Sequence, residues 1–436
     1  MRVPTAFLVL ALASCATAAK NEPVKAPVAE VLPFVHDDYP KALAAAKRQN
    51  KPLFVDAWAT WCHSCQSLRT YVLTDPSLAS LADDFVWLSV DTEKDVNAGF
   101  VEKHPHSALP TLWIIDPTTE RPILKWTGSA NAGELKALLG ASAGAKGDPS
   151  TLVATEAFVR GNRALAAGEP DVAEKEWRAG IAAAPRTHPH RARMVEALIG
   201  ELAAKRFDDC ASLAVKEVDA LPPSTSRASI FVYGLGCARS AKRAADVAHL
   251  AELALRDARS SHLLPDDRAA LYEELFASKK ESDPAAAHAI AVEWTTFLDK
   301  EAEGARTSDA RASLDPNRLG AYLALGEPGR AIPMLERSER DFPDDYNPPA
   351  RLGRVYLELR QLDAADKAAD RAIARVYGPR SMRVLGLKAD VAKARGDRAG
   401  EIAALEAAVA RSDRAVLTEG QKPAREALIK RLAALR

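Results

Sequence analysis

The stretch Lys51 to Cys65, KPLFVDAWATWCHSC, decides the reading of the N-terminal part of the chain. Lys51 and Pro52 punctuate it, and Leu53 to Val55 form a short apolar run, the pattern of a buried strand. Two thiols come next, Cys62 and Cys65, at a spacing that brings them together where a helix begins. The first cysteine of such a pair sits at the helix N-terminus, where unpaired N–H groups and the helix dipole stabilise a thiolate. Cys62 is therefore the expected nucleophile. Cys65, within the first turn, can attack a mixed disulfide formed on Cys62 and close an exchange cycle. Zinc sites share the Cys-x-x-C spacing, so the residues around the pair carry the discrimination.

Those residues resemble a known family. Val55-Asp56-Ala57-Trp58-Ala59-Thr60-Trp61-Cys62 is similar to the active-site strand and turn of the thioredoxin family, and Leu109-Pro110-Thr111 matches that family's cis-proline segment. The resemblance implies an α/β thioredoxin fold, a central mixed sheet flanked by helices, over residues 31–140. It also implies roles. Asp56 would lie buried beneath the dithiol and help move the proton of Cys65. Pro110 would face the disulfide in the cis form, with Leu109 and Thr111 offering backbone to a client. Trp58 and Trp61 would shape the adjoining surface. Within the family the segment is similar to the periplasmic C-terminal domain of DsbD, through Thr74-Asp75-Pro76-Ser77-Leu78 and the order of the elements after it. Those elements are strands over Trp87 to Asp91, Leu109 to Asp116 and Ile123 to Gly128, then a closing helix over Glu134 to Leu139. A first helix is expected over Tyr39 to Asn50, from its alanines and leucine. The chain departs at the dipeptide, where His63-Ser64 replaces the Gly-Pro of typical thioredoxins. A protonated His63 would favour the thiolate and make the disulfide more oxidising; a His63 turned to solvent would do little.

The first 18 residues read as an export signal: Arg2, an apolar stretch from Ala6 to Leu12, then small residues. The stretch is too short to span a membrane. Leu12-Ala13-Ser14-Cys15 resembles a bacterial lipobox, which would make Cys15 the lipidated first residue of a periplasmic lipoprotein. Cleavage after Ala18, at Ala16-Thr17-Ala18, is the alternative. Residues 19–30 read as a flexible tether. The chain has five cysteines. Setting Cys15 aside leaves two pairs, Cys62 with Cys65 and Cys210 with Cys237. The second pair could staple neighbouring helices in an oxidising compartment, or remain two buried thiols.

A Gly, Ala and Ser-rich run with Asp148-Pro149 marks a linker over residues 141–150. Beyond it, residues 151–436 are dominated by Ala, Leu, Arg and Glu, which predicts an all-α region. Tyr322 and Tyr356 stand 34 residues apart, as do Ala331, Ala365 and Ala399. That is the tetratricopeptide period. Leu352-Gly353, Tyr356, Ala365 and Ala372 resemble that repeat, with a preceding copy ending at Pro343 and an earlier one at Gly161, Ala173, Trp177 and Pro185. Between Leu198 and Asp315 the register is lost, although helical segments are expected over 228–240, 244–259, 267–278 and 285–298. A solenoid accounts for this region, and a non-repeating bundle is the competing architecture.

The 59 Lys and Arg balance the 59 Asp and Glu, leaving no overall nucleic-acid footprint. The run Arg371 to Arg375 reads as a solvated helix face. No phosphate-cradling glycine loop and no serine elbow is present. The expected function is that of an exported thiol-disulfide oxidoreductase whose helical repeats bind partners. It would need no cofactor, and its partners would be clients with disulfides or thiols and a thiol protein that donates or accepts electrons. One alternative is a tetratricopeptide-type scaffold with the thioredoxin-like domain as a docking module. Another is a metal site in which His104 or His106, otherwise members of a polar loop, joins Cys62, His63 and Cys65.

Overall fold

The computed structural model describes residues 31–142, 149–418 and 420–436. The export signal, the tether and Cys15 lie outside the described residues, as does most of the linker.

Five strands, β1 (Phe34–His36), β2 (Leu53–Trp58), β3 (Val86–Asp91), β4 (Thr111–Ile115) and β5 (Pro122–Thr127), make one sheet in the order β1-β3-β2-β4-β5. β1, β3 and β2 run parallel, and β4 and β5 are antiparallel. The central strand β2 is buried on both faces. Its alternation sends Phe54 to one core with Trp87, Leu112 and Trp126, and Leu53, Val55 and Ala57 to another with Leu88, Val90 and Trp113. Helices α1 (Tyr39–Gln49), α2 (His63–Ser67), α3 (Ala98–Lys103) and α4 (Ala132–Ser142) complete the domain. Asp38 caps α1, accepting from the Lys41 amide, and Asn50 closes it in the left-handed conformation. α2 continues into a π-helical turn, Leu68–Val72. Each strand and helix expected from the sequence is present within a few residues, and β1 adds one too short to predict. The linker is narrower than expected, since α4 runs to Ser142 and the next helix begins at Pro149.

The remaining chain is a succession of helical hairpins. They pair α5 (Pro149–Ala166) with α6 (Pro170–Ala183), α7 (Arg191–Leu202) with α8 (Phe207–Val218), α9 (Thr225–Ser240) with α10 (Ala244–Ala258), and α11 (Pro265–Lys279) with α12 (Pro284–Gly304). A single turn, α13 (Ser308–Ala312), precedes the pairs α14 (Asp315–Leu325) with α15 (Ala331–Asp341), α16 (Asn347–Glu358) with α17 (Leu362–Arg375), and α18 (Ser381–Arg395) with α19 (Arg398–Ser412). α20 (Lys422–Leu435) closes the array. The tight turns inside the last three hairpins each use a left-handed residue: Gly326 (φ 80°), Arg360 (φ 58°) and Gly396 (φ 75°). Small residues let paired helices approach. Gly353, for example, has Leu387 and the Ala365 and Ala369 backbone where a side chain would be. The region without a clear repeat register in sequence is thus a continuation of the hairpins, with α12 longer than its neighbours. Arg371, exposed, and Arg375, half-buried, also bind Glu339 of the preceding hairpin at 2.8 Å.

The two halves share a core. Phe158 of α5 packs edge-on to Trp126 of β5, and Arg193 of α7 lies 4.0 Å over that indole while donating to the Thr127 carbonyl. The array therefore begins on the last strand of the sheet, and its later hairpins return to the turn that follows the C-terminal end of β2.

Candidate active site

β2 delivers the dithiol. After Trp58 the chain turns, with the Cys62 amide donating to the Ala59 carbonyl at 3.1 Å. Cys62 then becomes the N-cap of α2, in extended backbone, its Sγ accepting from the Cys65 amide at 3.1 Å. Cys62 and Cys65 are joined as a disulfide, S–S 2.06 Å. Cys65 is fully buried and Cys62 is 4% exposed. An apolar collar of Ala59, Trp58, Trp61 and Leu109 surrounds the pair.

Leu109 comes from the segment before β4, and the Leu109–Pro110 peptide bond is cis. The Pro110 carbonyl accepts from the Gly128 amide at 2.9 Å, and the Thr111 hydroxyl donates to the Ala108 carbonyl at 2.7 Å, so this loop is held from both sides. Asp56 lies fully buried in the middle of β2. One carboxylate oxygen accepts from Arg69 at 3.0 Å, while the other has no partner. Arg69 is itself held by Ser89 and by the face of Trp58. Burial raises the Asp56 carboxyl above its ordinary range, and the Arg69 charge offsets part of that rise.

Both side chains of the dipeptide have partners. Ser64 Oγ lies 3.5 Å from Cys62 Sγ. His63 does not point freely into solvent: its Nδ1 is 2.6 Å from Asp266 at the start of α11, and that carboxylate raises the imidazole's pKa. His104 and His106 leave the metal reading without support. His104 is packed among Tyr39, Phe100 and Trp113, His106 is buried in the loop before β4, and burial lowers both imidazoles to about 4. Among the described residues no group of three His, Cys, Asp or Glu side chains could hold a metal ion.

What sequence reasoning missed is the far wall of the site, which the helical array builds. The Thr60 hydroxyl donates to Tyr346 at 3.1 Å and accepts from Asn347 at 3.2 Å. Tyr377 donates to Asp91 at 2.6 Å. Glu93, just past β3, accepts from the Trp61 indole at 3.1 Å, from the Arg380 amide at 2.5 Å and from Gln421 at 3.0 Å. The Arg380 guanidinium lies 4.7 Å over the Trp61 ring. Every residue flanking Cys62 is thus tied, directly or through one carboxylate, to a helix of the second half. No local pattern announces these partners; buried carboxylates at the C-terminal end of β3 are their one sequence trace.

The fold and the site together define a thioredoxin-like domain with a Cys-x-x-C pair, joined to tetratricopeptide-like helical hairpins. Comparison with known proteins agrees for the first part: residues 35–117 match the family model described as thioredoxin-like. The chain is similar to the thiol:disulfide interchange protein DsbD of Pseudoalteromonas atlantica, 32% identical over 82 residues, covering 18% of this chain and 14% of that protein. It is likewise 32% identical to the DsbD of Salmonella typhi over 107 residues, 24% of this chain and 18% of the relative. The chain thus spans less than a fifth of the length of these relatives. A tetratricopeptide repeat protein from Parabacteroides merdae aligns over 64% of this chain and 99% of its own, with a TM-score of 0.38 and 9% identity.

Proposed function

We propose that the chain is an exported thiol-disulfide oxidoreductase. The observation that carries this reading is the dithiol at the start of α2, linked as a disulfide and packed against Leu109 of the cis-proline loop. In the reduced protein the Cys62 thiolate attacks one sulfur of a client disulfide. A Cys62–client S–S bond forms, the client S–S bond breaks, and the second client sulfur leaves as a thiolate that takes a proton. Cys65 gives its proton toward Asp56 and attacks Cys62 Sγ, which releases the other client thiol and leaves the Cys62–Cys65 disulfide. Two electrons have passed to the client, and a second thiol protein restores them. Leu109, Pro110 and Thr111 present the client chain, Trp61 borders it, and His63 with Ser64 tunes the thiolate. The chemistry requires no cofactor. An N-terminal signal, with lipid on Cys15 or cleavage after Ala18, would place the protein in the periplasm, and intact mass of the mature chain separates the two. No helix among the described residues is long and apolar enough to cross a membrane.

The test is trapping. In Cys65→Ala protein, acid quenching and alkylation should reveal mixed disulfides that vanish when Cys62→Ser is added. Their absence, with partners still captured by the array, would favour the scaffold reading. The hydrogen bonds that dock the site onto the array support that second reading, since a docking module would use them too.

A further inference from the structure

The inner face of the last hairpins carries a groove of about 470 Å³, walled by α16, α18 and α20. Its charged lining is lopsided. Arg351, Arg354, Arg380, Arg383 and Arg431 face it against a single carboxylate, Asp390, which Arg431 already binds at 2.6 Å. Arg351 has Asp315 and Asp345 nearby, and Arg380 lies on Trp61 close to Glu93. Arg354 and Arg383 are exposed, and neither has a carboxylate partner among the described residues. The floor is apolar, with Leu387, Val384 and Leu428.

This groove does not end blindly. Arg380, Met382, Arg383 and Ala424 also line a smaller cleft of about 160 Å³, whose opposite wall is Trp61, Ala108 and Leu109. Glu93 lines this cleft as well, its carboxylate already taken by Trp61, the Arg380 amide and Gln421, so an arginine-rich groove with an apolar floor opens into a cleft beside the dithiol. Trp61 and Leu109 of this cleft pack directly against the Cys62–Cys65 pair, and Cys62 is 4% exposed.

We propose that the groove takes an extended acidic peptide segment of the disulfide-bearing client. The cysteine to be attacked docks at Leu109, and acidic residues beside it in sequence lie between Arg380, Arg383 and Arg354. The apolar floor suits alternate side chains of an extended peptide, which a nucleic-acid backbone does not offer. This assignment rests on the oxidoreductase reading for what happens at Cys62, but not for the binding itself.

The experiment uses the full chain and two fluorescein-labelled peptides, each with one cysteine in a mixed disulfide and flanked by Glu or by Lys. Anisotropy on the oxidised protein reads binding, and release of the small thiol by the reduced protein reads turnover. The acidic peptide should bind on the order of tenfold more tightly. That gap should narrow as salt rises from about 50 to about 300 mM. Arg354→Glu with Arg383→Glu should reverse the preference, a ratio that partial loss of folded protein does not change. Equal binding of the two peptides, or an unchanged ratio in the variant, would overturn the proposal. So would equally effective competition by an oligonucleotide of the same charge. Turnover without charge preference sinks the groove and keeps the oxidoreductase; charge-selective binding without turnover of either peptide does the reverse.

Discussion

His63 Nδ1 lies 2.6 Å from Oδ1 of Asp266, joining the residue next to the reactive cysteine to a carboxylate that α11 holds at 8% exposure. Asn317 donates to the same oxygen at 2.7 Å, so the carboxylate is positioned before the imidazole arrives. The contact crosses from one half of the chain to the other.

Asp266 raises the His63 pKa above its ordinary 6.5, with burial opposing and Glu273 adding slightly. The folded protein thus holds this proton more tightly than the unfolded chain. The resulting stabilisation is complete below about pH 6.5 and is lost as pH rises through the raised folded value. Because the imidazole is half exposed, its size is under about 1 kcal/mol. The difference in thermal midpoint between wild type and His63→Gln should shrink as pH goes from about 6 to about 9. His104 and His106, held neutral down to about 4, lose stability in the opposite direction, but they are common to both proteins and cancel. A difference that stays flat with pH would remove the ion pair from the account.

Gly378 sits at φ 57°, and a Cβ there would fall 1.9 Å from the Glu93 carbonyl oxygen. Gly378→Ala should force apart the turn that carries Tyr377 and Arg380 from the loop after β3, at a cost of about 2 kcal/mol or more. Alkylation of Cys62 in the reduced variant should be faster than in wild type. Gly168 has a similar φ of 78° but open space around it, so Gly168→Ala should cost only about 1 kcal/mol and leave Cys62 as protected as before. Equal alkylation rates in both variants would mean that the array does not cover the site.

Asp56→Asn removes the proposed proton acceptor while keeping the shape of the side chain. Rapid-quench measurement of the Cys62 mixed disulfide should show its decay slowed by about 100-fold, with its formation much less affected. Decay at the wild-type rate would strike Asp56 from the mechanism.

Cys210 of α8 and Cys237 of α9 are bonded, S–S 2.04 Å, with a sequence separation of 27. Closing a loop of that length stabilises by about 3.5 kcal/mol in the chain-entropy view. Cys210→Ser with Cys237→Ser should lower the unfolding free energy by that order and leave the α8–α9 packing in place. Peptide mapping without reductant that finds both thiols free would cancel the prediction.

The site divides sharply into what is local and what is not. Leu53, Val55, Cys62 and Cys65 lie within thirteen positions of one another, and strand periodicity and helix-end chemistry act over that range. Pro110 is reachable only through family resemblance, because nothing in its neighbours fixes a cis bond. Arg69 looks in sequence like an ordinary helix cation, since its role depends on Asp56 and Ser89 arriving from two strands. Tyr346 and Tyr377 carry no local mark either, and their hydroxyls find partners in the other half of the chain. For Cys210 and Cys237, the pairing becomes decidable only once α8 and α9 are seen to be adjacent. Repeat arithmetic works where hairpins share a length and fails where α12 is extended.

The tie between Glu93 and the array also sets an order of events in the life of the chain. Arg380 and Gln421 lie 287 and 328 residues downstream of the carboxylate they bind. A chain made from its N-terminus at about 5–20 residues per second reaches Arg380 roughly 15–60 s after Glu93. Once β5 has been made, the thioredoxin-like domain has all of its own strands, while Tyr346, Tyr377 and Arg380, which close over Thr60, Asp91 and Trp61, are still to come. The dithiol is thus synthesised well before Arg380 and Gln421, the distant residues tied to it through Glu93.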